Sequence, residues 1–519
     1  MLRCQTPCAL LFANVLTRRQ AYRPFILGWS IRAFMDFLLI VLLLPLAGAV
    51  FILLIPEAAR NFIRPIALLT ALLTLLVALS IAYLLDFSNP AVQLLSQYEW
   101  NPRLGTYFIF GLDGFSYPLV VLTSLLSLLA LSVSHIQERI RTYYSLMLLV
   151  QTAATGVFLS QGWALFYVFW EMVLIPLFFL INRWGSQQRQ KAALNFVLYT
   201  LGGSIFMLLS LLVLFDKNPE HSFLFASIQR AAHHLSAKEQ TLIFLGLLLG
   251  FGVKLPIFPL HGWLPLADVE APTPVTMLLS GVLLKMGAYG LIRSVEMLPL
   301  AAINLQNILF TLGAIGIVYG GLLAWRQSDM KRLVAYASIS HMGGVLIGIA
   351  SLTHYGMIGA LFQMIAHGLI AAALFMLLGL LHERTQRWDI NDYGAMIKVT
   401  PYFALFIILA FVGAVGLPGS ASFIAELHLL LGGFQQWSWA VIVLSLGVLI
   451  TATYSVRTIK YLYTGPSHPE LQTIRDLSLA EATAAATLIM STLILGFYPT
   501  LLLQVFQASV EHFIHLFVG

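Results

Sequence analysis

Apolar runs close to twenty residues long, nearly free of charge, follow one another along almost the whole chain. A helix needs about 20 apolar residues to cross a bilayer. Lipid cannot hydrogen-bond the backbone, so such runs must satisfy their own amides as helices. Of 519 residues, 59% are hydrophobic and only 10% charged, against roughly 25% charged in a soluble domain. The expectation is an all-α polytopic membrane protein built as one large helical bundle.

Hydropathy gives about fourteen spans: 34–55, 64–85, 115–134, 145–160, 163–182, 192–215, 241–265, 274–293, 303–325, 333–351, 356–381, 400–433, 437–461 and 477–505. The net charge of +6 suggests no nucleic-acid partner, because the basic residues sit in short loops. Those after spans 1, 3, 5, 9, 11 and 13 hold Arg60 and Arg64, Arg139 and Arg141, Arg183 and Arg189, Lys331 and Arg332, Arg384 and Arg387, and Arg457 and Lys460. Basic loops stay cytoplasmic, so the odd-numbered spans end there and both termini face the other side. The segment after span 7 departs from the trend, being acidic at Asp268 and Glu270. Residues 1–33, with five arginines, favour the opposite start. They read as a surface-lying arm or as an upstream start that the cell does not use.

Two spans are interrupted. The seventh, in Thr241-LIFLGLLLGFGVKLPIFPLHGWLPL-Ala267, breaks at Lys254–Pro256 and Pro259. The twelfth breaks at Gly416-Leu-Pro-Gly419. A proline removes a backbone donor, and a helix broken at mid-membrane is how transporters build ion sites. The breaks lie five spans apart, each the fourth member of a five-span unit. A unit with an odd number of spans inserts upside down the second time, giving an inverted repeat. The organisation is an N-terminal arm (1–33), three helices (34–144), a first five-helix repeat (145–300), a second, inverted one (301–465), and a last helix with a short tail (466–519).

Six ionisable residues lie inside apolar runs: Glu171, Lys254, Lys285, His341, His367 and Glu426. A charge at bilayer depth costs about 2.5–3.5 kcal/mol on insertion scales, so such residues need a reason. A carboxylate beside a buried lysine strengthens its hold on a proton, making Glu171 a modulator of Lys254. Lys285 reads as a central relay, His341 and His367 as groups able to exchange protons near neutral pH, and Glu426 as the terminal group. Each alone has a plainer reading, as a helix bridge or a packed histidine; six in succession do not. Lys331 and Arg332 read as topology markers and Glu296 as a solvated span end. His261, Asp268 and Glu270 either line an entrance or cap the turn. The two cysteines, Cys4 and Cys8, make no zinc or iron–sulfur site. There is no dinucleotide glycine fingerprint and no phosphate loop. No redox cofactor is expected in this chain.

The stretch Gly250-FGVKLPIFPLHGWLPLADVEAPTPVTMLLSGVLLKMGAYGLIR-Ser294, with Phe169-Trp-Glu-Met172 and Asp329-MKRLVAYASISHMG-Gly344, resembles the signature of the antiporter-like membrane subunits of respiratory complex I. The resemblance covers nearly everything after residue 35. It implies fourteen helices, two inverted five-helix repeats, two discontinuous helices and one proton path. In Gly416-LPGSASFIAEL-His428 the acid at 426 resembles the M-type (chain 4) branch, whose L- and N-type sisters carry lysine there. By motif, Glu171 and Lys254 take the family's paired roles, Lys285 that of the central lysine, His341 and His367 those of the intervening histidines, and Glu426 that of the terminal glutamate. The resemblance further implies the L- and N-type chains and the bilayer as partners. It places NADH, FMN, iron–sulfur clusters and quinone in partner subunits, and the chain in a bacterial inner membrane. The D-type subunit of the photosynthetic complex, in a thylakoid membrane, is the runner-up, followed by subunits of membrane hydrogenases and multisubunit cation/proton antiporters. A scaffold that no longer pumps predicts loss of an ionisable position, and none is lost.

Overall fold

The computed structural model describes residues 24–101, 106–466 and 468–517, with side chains from 37 onward. Cys4, Cys8 and most of the predicted arm lie outside the described residues. The first helix, α1 (Pro24–Leu54), begins ten residues before the predicted start at 34. Helix α2 (Ile63–Ser80) follows. An antiparallel hairpin then interrupts the all-α plan, β1 (Gln93–Asn101) pairing with β2 (Thr106–Leu112) through Ser96–Phe110 and Tyr98–Phe108. Its second strand, Thr-Tyr-Phe-Ile-Phe-Gly-Leu, is rich in the aromatic and β-branched residues that suit a half-buried pleat.

Next come α3 (Tyr117–Ser132), α4 (Ile140–Leu159), α5 (Trp163–Met172), α6 (Leu174–Trp184), α7 (Arg189–Lys217), a short α8 (Phe225–Ala232) and α9 (Ala237–Lys254). After the break come α10 (Leu264–Glu270), α11 (Thr273–Leu278), a π turn over Leu279–Leu283, and α12 (Leu284–Met297). There follow α13 (Pro299–Arg326), α14 (Met330–Ala350), α15 (His354–Thr385), α16 (Pro401–Val415), α17 (Ala421–Gln436) and α18 (Ala440–Tyr463). The chain closes with α19 (Leu479–Phe497) and α20 (Thr500–His515). The predicted fourteenth span therefore divides at Tyr498–Pro499. The tail is a helix whose Ser509 hydroxyl accepts the Gly114 amide at 3.1 Å.

Among the described residues, eleven helices are long and apolar enough to cross a membrane. The other three predicted spans are the shorter α3 and the interrupted pairs α9–α10 and α16–α17. The outer helices show lipid-facing stripes: α7 exposes Leu194, Leu198, Leu201, Ile205, Leu209 and Leu212. So much contiguous apolar surface on a water-soluble protein would mark an interface. By contrast, the apolar cores of the 273–297 segment and of α15 are wholly buried. These two central helices carry Lys285 and His367.

Two arginines predicted in loops, Arg64 and Arg141, lie instead in the first turns of α2 and α4 and close the ends of neighbouring helices. Arg64 Nη2 donates to the Ser132 carbonyl (2.7 Å) and Arg141 Nη1 to that of Ile55 (3.0 Å), where terminal carbonyls lack helical partners. Ser236 and Glu239 form a capping box at the start of α9, and Ser478 and Glu481 another at α19.

Candidate functional site

The break after α9 is satisfied from within. Pro256 and Pro259 supply no amide, so the last carbonyls of α9 must find other donors. Phe251 receives the Leu255 amide (2.8 Å), Gly252 the Ile257 amide (2.9 Å) and Val253 the indole of Trp263 (2.8 Å). Lys254, the last residue of α9, is fully buried. Its Nζ donates to the Trp170 carbonyl at 3.0 Å and lies 3.6 Å from the centre of the Trp170 ring. That carbonyl is reachable because the fifth span divides at Val173, one turn ahead of Pro176. The Trp170 indole is itself held by Ser204 (3.0 Å). Glu171, the next residue, is half-buried and within electrostatic reach of Lys254, and its Oε1 is buried without a hydrogen-bond partner.

Helix α12 approaches the end of α9 at Gly287. A Cβ there would stand 2.6 Å from the Leu255 amide nitrogen and 2.9 Å from the Phe251 carbonyl oxygen, so only glycine permits this contact. Two residues earlier, Lys285 is fully buried. Its Nζ lies 2.7 Å from the Ser280 carbonyl and 2.7 Å from Nδ1 of His367. Ser280 belongs to the π turn, a distortion frequent at functional sites. His367 is 4% exposed, and its ring centre lies 5.5 Å from that of His341. His341 in turn meets the Gln363 amide nitrogen at 3.2 Å.

Glu426 sits on α17, beyond the second break. Gly416 ends α16 with φ +75°, a left-handed conformation that glycine adopts without penalty. The Glu426 carboxyl folds back against the face where a side chain at 416 would project. Ser420 begins α17 by accepting the Phe423 amide (3.3 Å).

The six predicted residues thus form three groups. Glu171 and Lys254 make one, Lys285, His367 and His341 a second, and Glu426 stands at the far break. Among the described residues, no direct hydrogen bond joins Lys254 to Lys285 or His341 to Glu426. Residues 160–451 match the family described as NADH:quinone oxidoreductase/Mrp antiporter, transmembrane. The chain belongs to this family. NADH-quinone oxidoreductase subunit M of Rickettsia conorii is 38% identical over 480 residues, covering 90% of this chain and 97% of that one. NAD(P)H-quinone oxidoreductase chain 4 of a Synechococcus strain is 39% identical over 481 residues, 90% of each chain. Among solved structures, a chain of respiratory complex I from Thermus thermophilus superposes with a TM-score of 0.85 at 30% identity, covering 93% of this chain and 100% of that one. The protein is accordingly a multi-pass membrane subunit, of the bacterial inner membrane.

This antiporter-family chain also buries charges that the sequence reading set aside. Lys331, taken for a topology marker, is 3% exposed and donates to the carbonyls of Val269 (3.0 Å) and Ala271 (2.5 Å). Asp268 and Glu270, taken as part of an acidic loop, are buried in α10. Glu296, taken as solvated, pairs with Arg293 Nη1 at 2.9 Å. Arg293 also pairs with Asp113, both nearly sealed from solvent. All of these sit near the ends of apolar runs, where sequence alone does not separate a solvated charge from one covered by a neighbouring helix. No cluster of metal-ligating side chains occurs among the described residues.

Proposed function

We propose that this chain carries protons across the membrane as the M-type subunit of an NADH:quinone oxidoreductase, through Glu171, Lys254, Lys285, His367, His341 and Glu426. The observation that carries the reading is the succession Lys285–His367–His341, the first two hydrogen-bonded across the two most deeply buried helices and the third a neighbouring ring on α14. Three exchangeable groups in direct succession at bilayer depth are costly for a purely structural role and suited to relaying a proton. Waters bridge the two gaps in the row, as buried polar sites with several partners commonly allow. The chain contributes no redox chemistry; NADH, FMN, iron–sulfur clusters and quinone belong to partner subunits. Quinone reduction there drives this path electrostatically, through neighbouring L- and N-type membrane chains. The helices make fourteen membrane spans, with 145–300 and 301–465 as two inverted repeats, each interrupted at its fourth span.

The test is Lys254→Ala and Glu171→Ala in the assembled complex. Proton transport falls sharply while electron transfer to quinone persists. Full proton-to-electron stoichiometry in both variants would remove the reading. The second reading is the D-type subunit of the photosynthetic complex; the Synechococcus relative, named NAD(P)H-quinone oxidoreductase chain 4, is compatible with it, while the Rickettsia and Rhodobacter subunit M relatives favour the first. The second reading keeps the same path and differs in the electron donor, so NADH and reduced ferredoxin offered to the purified complex separate the two.

A further inference from the structure

Asp268 lies outside the six-residue row, yet it is fully buried beside the row's central member. Its Oδ2 accepts the Ser280 hydroxyl at 2.7 Å, and its Oδ1 is buried with no hydrogen-bond partner. Ser280 also receives Lys285 Nζ on its carbonyl at 2.7 Å. One serine therefore touches the acid with its side chain and the lysine with its backbone, and the two charges act on one another. Lys331 reaches the same helix from α14 but is satisfied differently. It rests on two carbonyls flanking Glu270, with the charges of Asp268, Asp329 and Glu270 all acting on it. Among the described residues, no second acid acts on Lys285. The other titratable groups acting at its site are His367 and, behind it, His341.

A buried ion left alone costs several kcal/mol, and removing one partner of a buried pair strands the other. Asp268 feels the charges of both Lys331 and Lys285, but Lys331 has two other acids and two carbonyls, whereas the acid acting on Lys285 is Asp268; this pair can also exist uncharged. We propose that Asp268 is the acid partner of Lys285 and takes up the proton that the central lysine releases, a role parallel to that of Glu171 beside Lys254. In this step an N–H bond of the Lys285 ammonium breaks and an O–H bond forms at Asp268 Oδ1, directly or through one water. An ammonium–carboxylate pair becomes an amine–carboxylic acid pair, with no change in net charge and no co-reactant. Lys285 then stands between two acceptors, Asp268 on α10 and His367 on α15. It is a branch point, not only a link in a row. The α10 side is the end of the broken seventh span, so the branch leads from the break into the central helices.

This inference rests on the proton-path reading, and the test separates them. Asp268→Asn and Asp268→Glu are compared with Lys254→Ala in the assembled complex, in sealed vesicles, measuring protons moved per electron passed to quinone across a pH range. The asparagine amide still accepts the Ser280 hydroxyl. A structural role would therefore leave the pH profile in place. The expected result is transport reduced by about twofold or more, as for loss of a positioned proton acceptor. The alkaline limb should move to lower pH by about one unit, since a nearby carboxylate favours a lysine's charged form by about 1–3 units. Asp268→Glu restores both. Full transport with an unshifted profile in Asp268→Asn, beside loss in Lys254→Ala, overturns the inference and leaves the path standing. Full transport in both overturns the path. If Asp268→Asn does not assemble, Ser280→Ala takes its place, keeping the acid while removing its donor. A shifted profile supports the pair, and an unshifted one overturns it.

Discussion

Lys285 Nζ and His367 Nδ1 lie 2.7 Å apart, so two basic groups on the two most buried helices share one hydrogen bond. One nitrogen must donate and the other accept. An ammonium at Lys285 requires an unprotonated Nδ1 on His367, whose ring hydrogen then sits on Nε2. That nitrogen is free to engage the next group, and His341 is the adjacent ring. Protonating both partners at once would destroy the bond, so a second proton arriving on one side expels one from the other.

This geometry predicts different outcomes for two replacements of His367. Phenylalanine fills the space but offers no acceptor, leaving Lys285 with a buried charge short of one partner. Leaving a buried donor without its acceptor costs about 1–3 kcal/mol, so His367→Phe should lower the yield or thermal stability of the complex as well as transport. Glutamine supplies an acceptor oxygen and cannot pass a proton through a ring. His367→Gln should therefore assemble near normally and still lose proton transport. Vesicle acidification measured beside quinone reduction distinguishes the two, and wild-type pumping by the glutamine variant would contradict a relay through this ring.

Trp170 predicts a second graded response. Its ring and carbonyl both hold Lys254, and Ser204 fixes the indole. A desolvated cation over an indole face gains about 2 kcal/mol. Trp170→Leu should abolish that contact while leaving the backbone acceptor, weakening transport strongly. Ser204→Ala frees the indole without removing it and should weaken transport less. Equal transport in Trp170→Leu and the wild type would show that the ring does not hold the lysine during turnover.

The members of the row were legible because each puts a charge or an imidazole inside an apolar run. Both breaks were legible for a related reason: Pro256, Pro259 and Pro418 fall where a helix would otherwise continue. Asp268, Lys331, Arg293 and Asp113 were not legible as buried groups. They stand at run ends, and their burial is produced by helices far away in the chain, such as α14 laid across α10. The spacing of five between Ser280 and Lys285 was available in the sequence, but only the π turn gives it meaning. The hairpin hid for another reason. Its first strand, Gln-Leu-Leu-Ser-Gln-Tyr-Glu-Trp-Asn, mixes polar and apolar residues too irregularly to show a period of two.

Asp113 and Arg293 predict how the bundle responds to acid. Asp113 precedes α3 and Arg293 lies near the end of α12, so their ion pair fastens the start of α3 to the end of α12. Tyr289 and Glu296 accept from the other two guanidinium nitrogens, Nε and Nη1. Burial alone would raise the Asp113 carboxyl, but the Arg293 charge and hydrogen bonds from Arg293 and Ser116 outweigh it and hold it below its usual range. A carboxyl lowered in the folded state contributes stability above its unfolded value of about 3.9, and loses it as pH falls through the folded value. Thermal stability of the detergent-solubilised complex should therefore owe nothing to this pair's titration between neutrality and about pH 5, and should lose its contribution only in stronger acid. Arg293→Ala should cost about 3–5 kcal/mol by stranding the carboxylate. Asp113→Asn in the same background should recover part of that loss, which a thermal melt of the double variant would read directly.

Gly416 offers a test of the far end of the path that separates strain from function. Alanine at 416 meets two obstacles, a left-handed φ of +75° and the Glu426 carboxyl lying against the position of its methyl group. The backbone obstacle alone costs about 1–2 kcal/mol. Gly465 provides the control: its φ is +100°, and nothing lies within 4 Å of a Cβ there. Gly465→Ala should bring backbone strain alone, with a modest fall in stability and normal transport. Gly416→Ala should bring comparable strain and also push Glu426 off the break, so transport should fall out of proportion to stability. Glu426→Asp in the Gly416→Ala background shortens the displaced side chain by one methylene and relieves the collision. Partial recovery of transport in that double variant would assign the loss to the carboxyl's position. A double variant no better than Gly416→Ala, with both assembled, would assign it to the backbone and take Glu426's placement at the break out of the mechanism.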